Sequence, residues 1–253
     1  MAVTQSAFRV VIVEDDASIR RFVAMALEDL AIELVSCVDV AQAMQSLRQA
    51  PARLVLSDLM LPGESGLVLL ERLALDAALR GDALLAVFSA GVNPQVRQRL
   101  EELGVWRILP KPASVNELRA CIEDAMQEPS SDAAVADVPR RTNDTAERLD
   151  VIDRYYGGDR ILYEEYHGMC VAQFPADVTA GDRACETHDV SGLRHLAHSL
   201  KTVLDSLGYP SLAQLARHTE DSASKGDLES ASSSWLVLRE SLTALGEGRL
   251  FSF

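Results

Sequence analysis

Residues 8–21, FRVVIVEDDASIRR, carry the pattern that sets the fold of the first half of the chain. The opening FRVVIV is too short for a globular helix and almost continuously apolar, which suits a strand covered on both faces. The acidic triplet Glu14-Asp15-Asp16 ends it, and helical spacing starts at once. Working outward, the same unit recurs. Apolar runs at 32–36, 54–57, 83–88 and 105–109 read as further strands, and segments 17–29, 40–49, 65–78, 94–102 and 115–126 read as helices. Five β-α units in succession predict an α/β domain, a parallel sheet with helices on both faces.

Residues 129–145, EPSSDAAVADVPRRTND, break this rhythm with two prolines and little that could enter a core. They read as a linker between a first domain at 1–128 and a second at 146–253. As a flexible coil its 17 residues would reach ~23 Å, enough to let the two domains of one chain meet. Beyond it the strand signals vanish. Stretches 160–185, 192–207, 210–224 and 228–245 are amphipathic and predict an all-α second domain, an antiparallel four-helix bundle with short connections. Pro175 reads as a kink or a break in the first of these helices, and the last residues, GEGRLFSF, as a fraying end.

Composition narrows the function. The 253 residues carry a formal net charge of −14 with no basic stripe interleaved with aromatics, which argues against nucleic acid as a partner. No apolar run approaches the roughly 20 residues needed to span a bilayer, so no membrane insertion and a cytoplasmic location are expected. Cys37, Cys121, Cys170 and Cys185 are widely separated and read as free thiols.

In an open parallel sheet, ligands bind beyond the carboxyl ends of the strands. Here the first strand ends in Glu14-Asp15-Asp16, the third in Asp58, the fourth in Ser89 and the fifth in Lys111 followed by Pro112. Carboxylates converging on one edge repel each other unless a hard cation such as Mg²⁺ sits among them. With an ammonium and a hydroxyl beside them, the set suits phosphoryl transfer, which asks for positioning and charge neutralisation. In that chemistry Asp58 attacks phosphorus, Asp15 and Glu14 hold the metal, and Lys111 and Ser89 contact phosphoryl oxygens.

The pieces VIVEDDASIRR, LVLSDLMLPGESG, FSAG and LPKPAS resemble the receiver domains of bacterial response regulators over residues 8 to 126. The resemblance implies a flavodoxin-like sheet of order 2-1-3-4-5, Asp58 as phosphoacceptor, and the backbone carbonyl of Met60 as a further Mg²⁺ ligand. It also implies a cis peptide before Pro112. One departure is Ile108, where many receivers carry the Tyr or Phe of an aromatic switch.

In the second domain, Leu193, Leu196, Leu200, Val203 or Leu204, and Leu207 trace the apolar stripe of one helix. His198 and Lys201 lie off it, which predicts an imidazole facing water that needs no dedicated base. LAHSLKTVLDSLG resembles the His-x-Leu-Lys-Gly motif of histidine-containing phosphotransfer (Hpt) domains. The resemblance implies reversible phosphorylation of His198 with Lys201 as electrostatic partner. Thr202 stands where that family usually has glycine; it either narrows an incoming receiver's access or donates a hydrogen bond to the phosphoryl group.

Together these readings give a two-component phosphorelay protein without an ATP site of its own. Its expected partners are a sensor histidine kinase and other receiver or Hpt proteins. The alternative reading makes receiver phosphorylation a conformational switch over protein binding by the bundle, with no phosphate passing between domains.

Overall fold

The computed structural model describes residues 8–128, 136–137 and 151–249. They belong to two compact units, Met1–Arg148 and Leu149–Phe253.

In the first unit, strands β1 (Phe8–Val13), β2 (Ile32–Cys37), β3 (Leu54–Ser57), β4 (Leu84–Ser89), β5 (Arg107–Pro110) and β6 (Ala136–Asp137) form one sheet of order β2-β1-β3-β4-β5-β6. Every pairing is parallel. The first five strands thus take the expected 2-1-3-4-5 order. β6 is an addition at the β5 edge, and it comes from the segment read as a linker, the rest of which lies outside the described residues. Helices α1 (Ala17–Ala26), α2 (Val40–Gln49), α3 (Gly66–Leu75), α4 (Ala77–Arg80), α5 (Pro94–Glu102) and α6 (Val115–Gln127) complete the unit.

Burial explains the apolar runs. All four residues of β3 are buried, as are the last five of β1 and β4, because helices cover both faces of the sheet centre. Asp16 caps α1, its carboxylate accepting from the backbone N–H groups of Ser18 and Ile19 at 2.8 and 2.9 Å. The helix expected over 65–78 is interrupted. At Asp76 the backbone leaves helical geometry (φ −111°, ψ 83°), and its side chain caps the short α4 through Leu79 N–H at 3.0 Å.

The second unit is all helical: α7 (Val151–Tyr156), α8 (Arg160–Glu186), α9 (Val190–Ser206), α10 (Pro210–Ser224) and α11 (Leu228–Gly246). The short α7 goes beyond the four expected helices; Gly157 and Gly158, at φ 63° and 85°, separate it from α8. Pro175 does not end α8, which runs through it. Buried side chains before the proline (Cys170, Phe174) and buried small residues after it (Gly181, Ala184) pack the helix on both sides of the lost backbone bond.

Two features fix α9, the helix that bears His198. Gly208, at φ 85°, ends it and lets α10 begin two residues later. Tyrosine hydroxyls then satisfy its last carbonyls: Tyr156 donates to Ser206 O at 3.1 Å and Tyr163 to Leu207 O at 3.2 Å. Across the bundle, Trp235 is fully buried and its indole N–H donates to Asp182 Oδ1 at 2.9 Å.

Gly181 lies flat against that indole, and a Cβ there would overlap the ring. Gly181→Ala gains about 1 kcal/mol of helix propensity. Overpacking costs more, about 1–3 kcal/mol. The expected net result is a lower midpoint in thermal unfolding of the full chain; an unchanged or raised midpoint contradicts this packing.

Candidate functional site

The strand ends bring Glu14, Asp58 and Lys111 into one buried cluster. Asp58 is set by the sheet, its N–H donating to Val13 O at 2.9 Å, and Glu14 N–H donates to Cys37 O at 3.0 Å. Lys111 is set by β5, its N–H donating to Ser89 O at 3.0 Å, and the Lys111–Pro112 peptide is cis as expected. The Lys111 ammonium donates to Asp58 Oδ2 at 2.6 Å and to Glu14 Oε2. The Phe88 ring lies 5.0 Å from Nζ.

Asp58 Oδ1 is engaged separately, accepting from the N–H groups of Leu59 at 2.6 Å and Met60 at 3.1 Å. The loop after Asp58 folds back tightly: Gly66 N–H donates to Leu59 O at 3.1 Å, and a Cβ at Gly66 would overlap the Asp58 carbonyl oxygen. Only glycine fits the start of α3. Ser89 is buried at the end of β4, in register with Pro110.

Three carboxylates and one ammonium leave this cluster with excess negative charge. Burial, the largest influence, pushes the Glu14 carboxyl up to about 8 against the pull of Lys111, and the Asp58 charge adds to the rise. Lys111 is held above its ordinary range, because Glu14 and Asp58 more than offset the burial that disfavours its charge. Carboxylate oxygens of Glu14, Asp15 and Asp58 lie within 4.8 Å of one another, a hard oxygen donor set that fits a divalent cation. Asp15 is the most open of the three. Asp16 serves as the α1 cap described above.

The second unit corrects one expectation. His198 does not face water: it is 5% exposed, and Ser199 and Thr202 on the same helix are buried as well. The apolar stripe understated the packed face, because α10 meets α9 with small residues. Ala213, Ala216, Thr219 and Ala223 are its buried positions, and they leave room for polar side chains.

The buried imidazole also has a partner that the sequence reading missed, Glu220 of α10. His198 Nδ1 lies 2.7 Å from Glu220 Oε1, and Lys201 Nζ donates to Glu220 Oε2 at 2.6 Å. Burial alone would raise the Glu220 carboxyl, but hydrogen bonds from His198 and Lys201 and their charges together lower it to about 2. An ionised carboxylate only accepts, so Nδ1 carries a proton, and whenever the ring is neutral its lone pair is on Nε2. The 3.5 Å approach of Lys201 Nζ to Nδ1 is then electrostatic. Nε2 is buried without a hydrogen-bond partner.

Comparison with known proteins finds a match for each unit. Residues 10–123 match the response regulator receiver domain model and residues 165–248 the Hpt domain model. The chain thus contains a receiver domain followed by an Hpt domain. The phosphate regulon transcriptional regulatory protein PhoB of Klebsiella pneumoniae is 35% identical over 119 residues, 47% of this chain and 52% of that protein. The sensor histidine kinase AruS of Pseudomonas aeruginosa is 29% identical over 213 residues, 83% of this chain and 20% of that protein. The chain spans about half or less of the length of such curated relatives. Among solved structures, a CheY-like receiver domain protein of Methanospirillum hungatei aligns with a TM-score of 0.45 at 21% identity, covering 48% of this chain and 95% of that one. Among the described residues, no helix is long and apolar enough to cross a membrane.

The lowered carboxyl of Glu220 makes a pH prediction. Its folded value lies below its unfolded one, so its contribution is full above about 4.5 and disappears as pH falls toward 2. Glu220→Gln is expected to destabilise the chain by about 1–2 kcal/mol at pH 7, discounted for partial solvent screening. The gap to wild type should narrow between pH 4.5 and 2 in urea unfolding; a gap constant with pH contradicts the pairing.

Proposed function

We propose that the protein relays phosphoryl groups between histidine and aspartate partners, with Asp58 and His198 as its two phosphoacceptors. The observation that carries this reading is the Lys111 ammonium held between Asp58 and Glu14 at the ends of the parallel strands. Such a lysine is positioned to turn toward phosphoryl oxygens once Asp58 is modified. Glu14, Asp15, Asp58 and the Met60 carbonyl would hold Mg²⁺, which when bound neutralises the phosphoryl charge. Ser89 supplies a hydroxyl at the neighbouring strand end.

In the forward step, Asp58 Oδ attacks phosphorus of a phosphohistidine, forming an O–P bond as the P–N bond breaks and its electron pair returns to the imidazole. In the reverse sense His198 Nε2 attacks an aspartyl phosphate. The P–O bond then breaks toward the carboxylate, and no proton need leave Nε2, because Glu220 keeps the ring proton on Nδ1. Lys201 stays one turn away to offset the charge of the phosphoryl group.

In this reading residues 1–128 act as the receiver, 146–253 as the phosphotransfer domain and 129–145 as their linker, in the cytoplasm. A sensor histidine kinase and other receiver or Hpt proteins are the partners, in keeping with the similarity to AruS, itself named a sensor histidine kinase.

The test uses two full-length variants. His198→Gln is charged at Asp58 with a radiolabelled small phosphodonor and Mg²⁺, freed of donor, and mixed with Asp58→Asn. Label is expected to appear on His198 of the second variant, and neither charging nor transfer should survive chelation of the metal. Label that is lost as inorganic phosphate without ever reaching an imidazole overturns the relay and leaves the receiver acting only as a switch.

A further inference from the structure

Thr202 behaves unlike every other helical threonine among the described residues. Thr179, Thr219 and Thr243 each donate their hydroxyl to the carbonyl four residues back, at 2.9, 3.0 and 2.9 Å, and Thr187 at a helix end does the same at 2.8 Å. This is the ordinary resting bond of a helical threonine. Thr202 does not make it. Its Oγ1 is buried with no hydrogen-bond partner, and the residue is only 5% exposed.

A buried hydroxyl without a partner costs free energy, and an unmade bond of this kind asks for an explanation. A second orphan belongs to the preceding turn of the helix. Nε2 of His198, four residues earlier on the same helix, is also buried and unpartnered. Positions i and i+4 are neighbours on a helix surface, and a helical side chain leans over the turn that precedes it. Thr202 therefore covers the turn from which the imidazole projects. One orphan is a nucleophilic nitrogen, and the other is a hydroxyl able to donate.

Taking His198 as a phosphoacceptor, as proposed above, we propose that Thr202 is a phosphoryl-binding residue. Its Oγ1–H donates to an oxygen of the phosphoryl group carried on Nε2. The missing partner of the hydroxyl arrives with the phosphoryl group, while Lys201 and Glu220 serve the opposite side of the ring. In the conformation described here Nε2 is covered, so attack requires the ring to change rotamer or a covering side chain to move. Glycine, the usual residue at this position in Hpt domains, offers no such donor. The chain is thereby biased toward holding phosphate on His198.

The experiment compares Thr202→Val, Thr202→Ser and Thr202→Gly, each in the Asp58→Asn chain and charged from labelled His198→Gln. Folding is checked by circular dichroism. Valine keeps the shape and removes the donor, so it should lower the equilibrium share of label on His198 about tenfold, ~1.4 kcal/mol. Serine keeps the donor and should stay within about twofold of threonine; glycine should follow valine. If valine does not fold, the contrast of serine with glycine decides the same point. Valine equal to threonine, with glycine charging faster, means that Thr202 only obstructs access, and overturns this proposal alone. Failure of His198 to take label in the parental Asp58→Asn chain overturns the relay itself and the role of Thr202 with it.

Discussion

Neutralisation by a lysine ammonium of a carboxylate largely withdrawn from water organises both units of this chain. In the first, Lys111 stands between Asp58 and Glu14; in the second, Lys201 and the His198 ring stand on the two oxygens of Glu220. Such pairs are poor sources of net stability, since desolvating two charges offsets most of their attraction. Breaking one is another matter, because a charge is left behind: about 3–5 kcal/mol at the fully buried Lys111 cluster, and less at Glu220, where both partners keep some contact with solvent. Folding therefore tolerates these clusters only as complete sets. The side chains they hold are those that suit phosphoryl chemistry.

The two sites use this constraint differently. At the receiver site the compensation is incomplete: three acidic groups face one ammonium, and burial drives Glu14 toward its protonated form. Extra positive charge is welcome there, which is the electrostatic case for a divalent cation. At the Hpt site compensation is complete, and what remains is directional. Glu220 holds the ring by Nδ1 and leaves Nε2 with its lone pair, while Thr202 keeps a hydroxyl in reserve one turn away.

Most of the receiver was legible in the sequence because its determinants are local. The short apolar runs and the residue that ends each strand are readable within a few positions. The cluster of Glu14, Asp58 and Lys111 follows once strand ends are known to converge, whereas the order of the strands rests on the resemblance to receiver domains. The burial of His198 was not legible, since an apolar stripe counts hydrophobic side chains and ignores how close a small-residue face such as Ala213, Ala216 and Thr219 can come. Glu220 left only a faint trace: it stands twelve residues past Gly208 and His198 ten before it, so a tight helical hairpin turning there sets them opposite. The helix break at Asp76 escaped because an aspartate that caps α4 leaves the hydrophobic spacing intact, and the β6 pairing because a two-residue strand has no period to read.

The account is tested most directly at the His198 ring. Nitrogen-15 NMR of the imidazole in the full chain at neutral pH reports which nitrogen bears the proton. The neutral form of the ring is expected to be a single tautomer, protonated at Nδ1 and bare at Nε2, a preference lost in Glu220→Gln. A neutral ring protonated at Nε2, or one exchanging freely between tautomers in the wild-type chain, would contradict it.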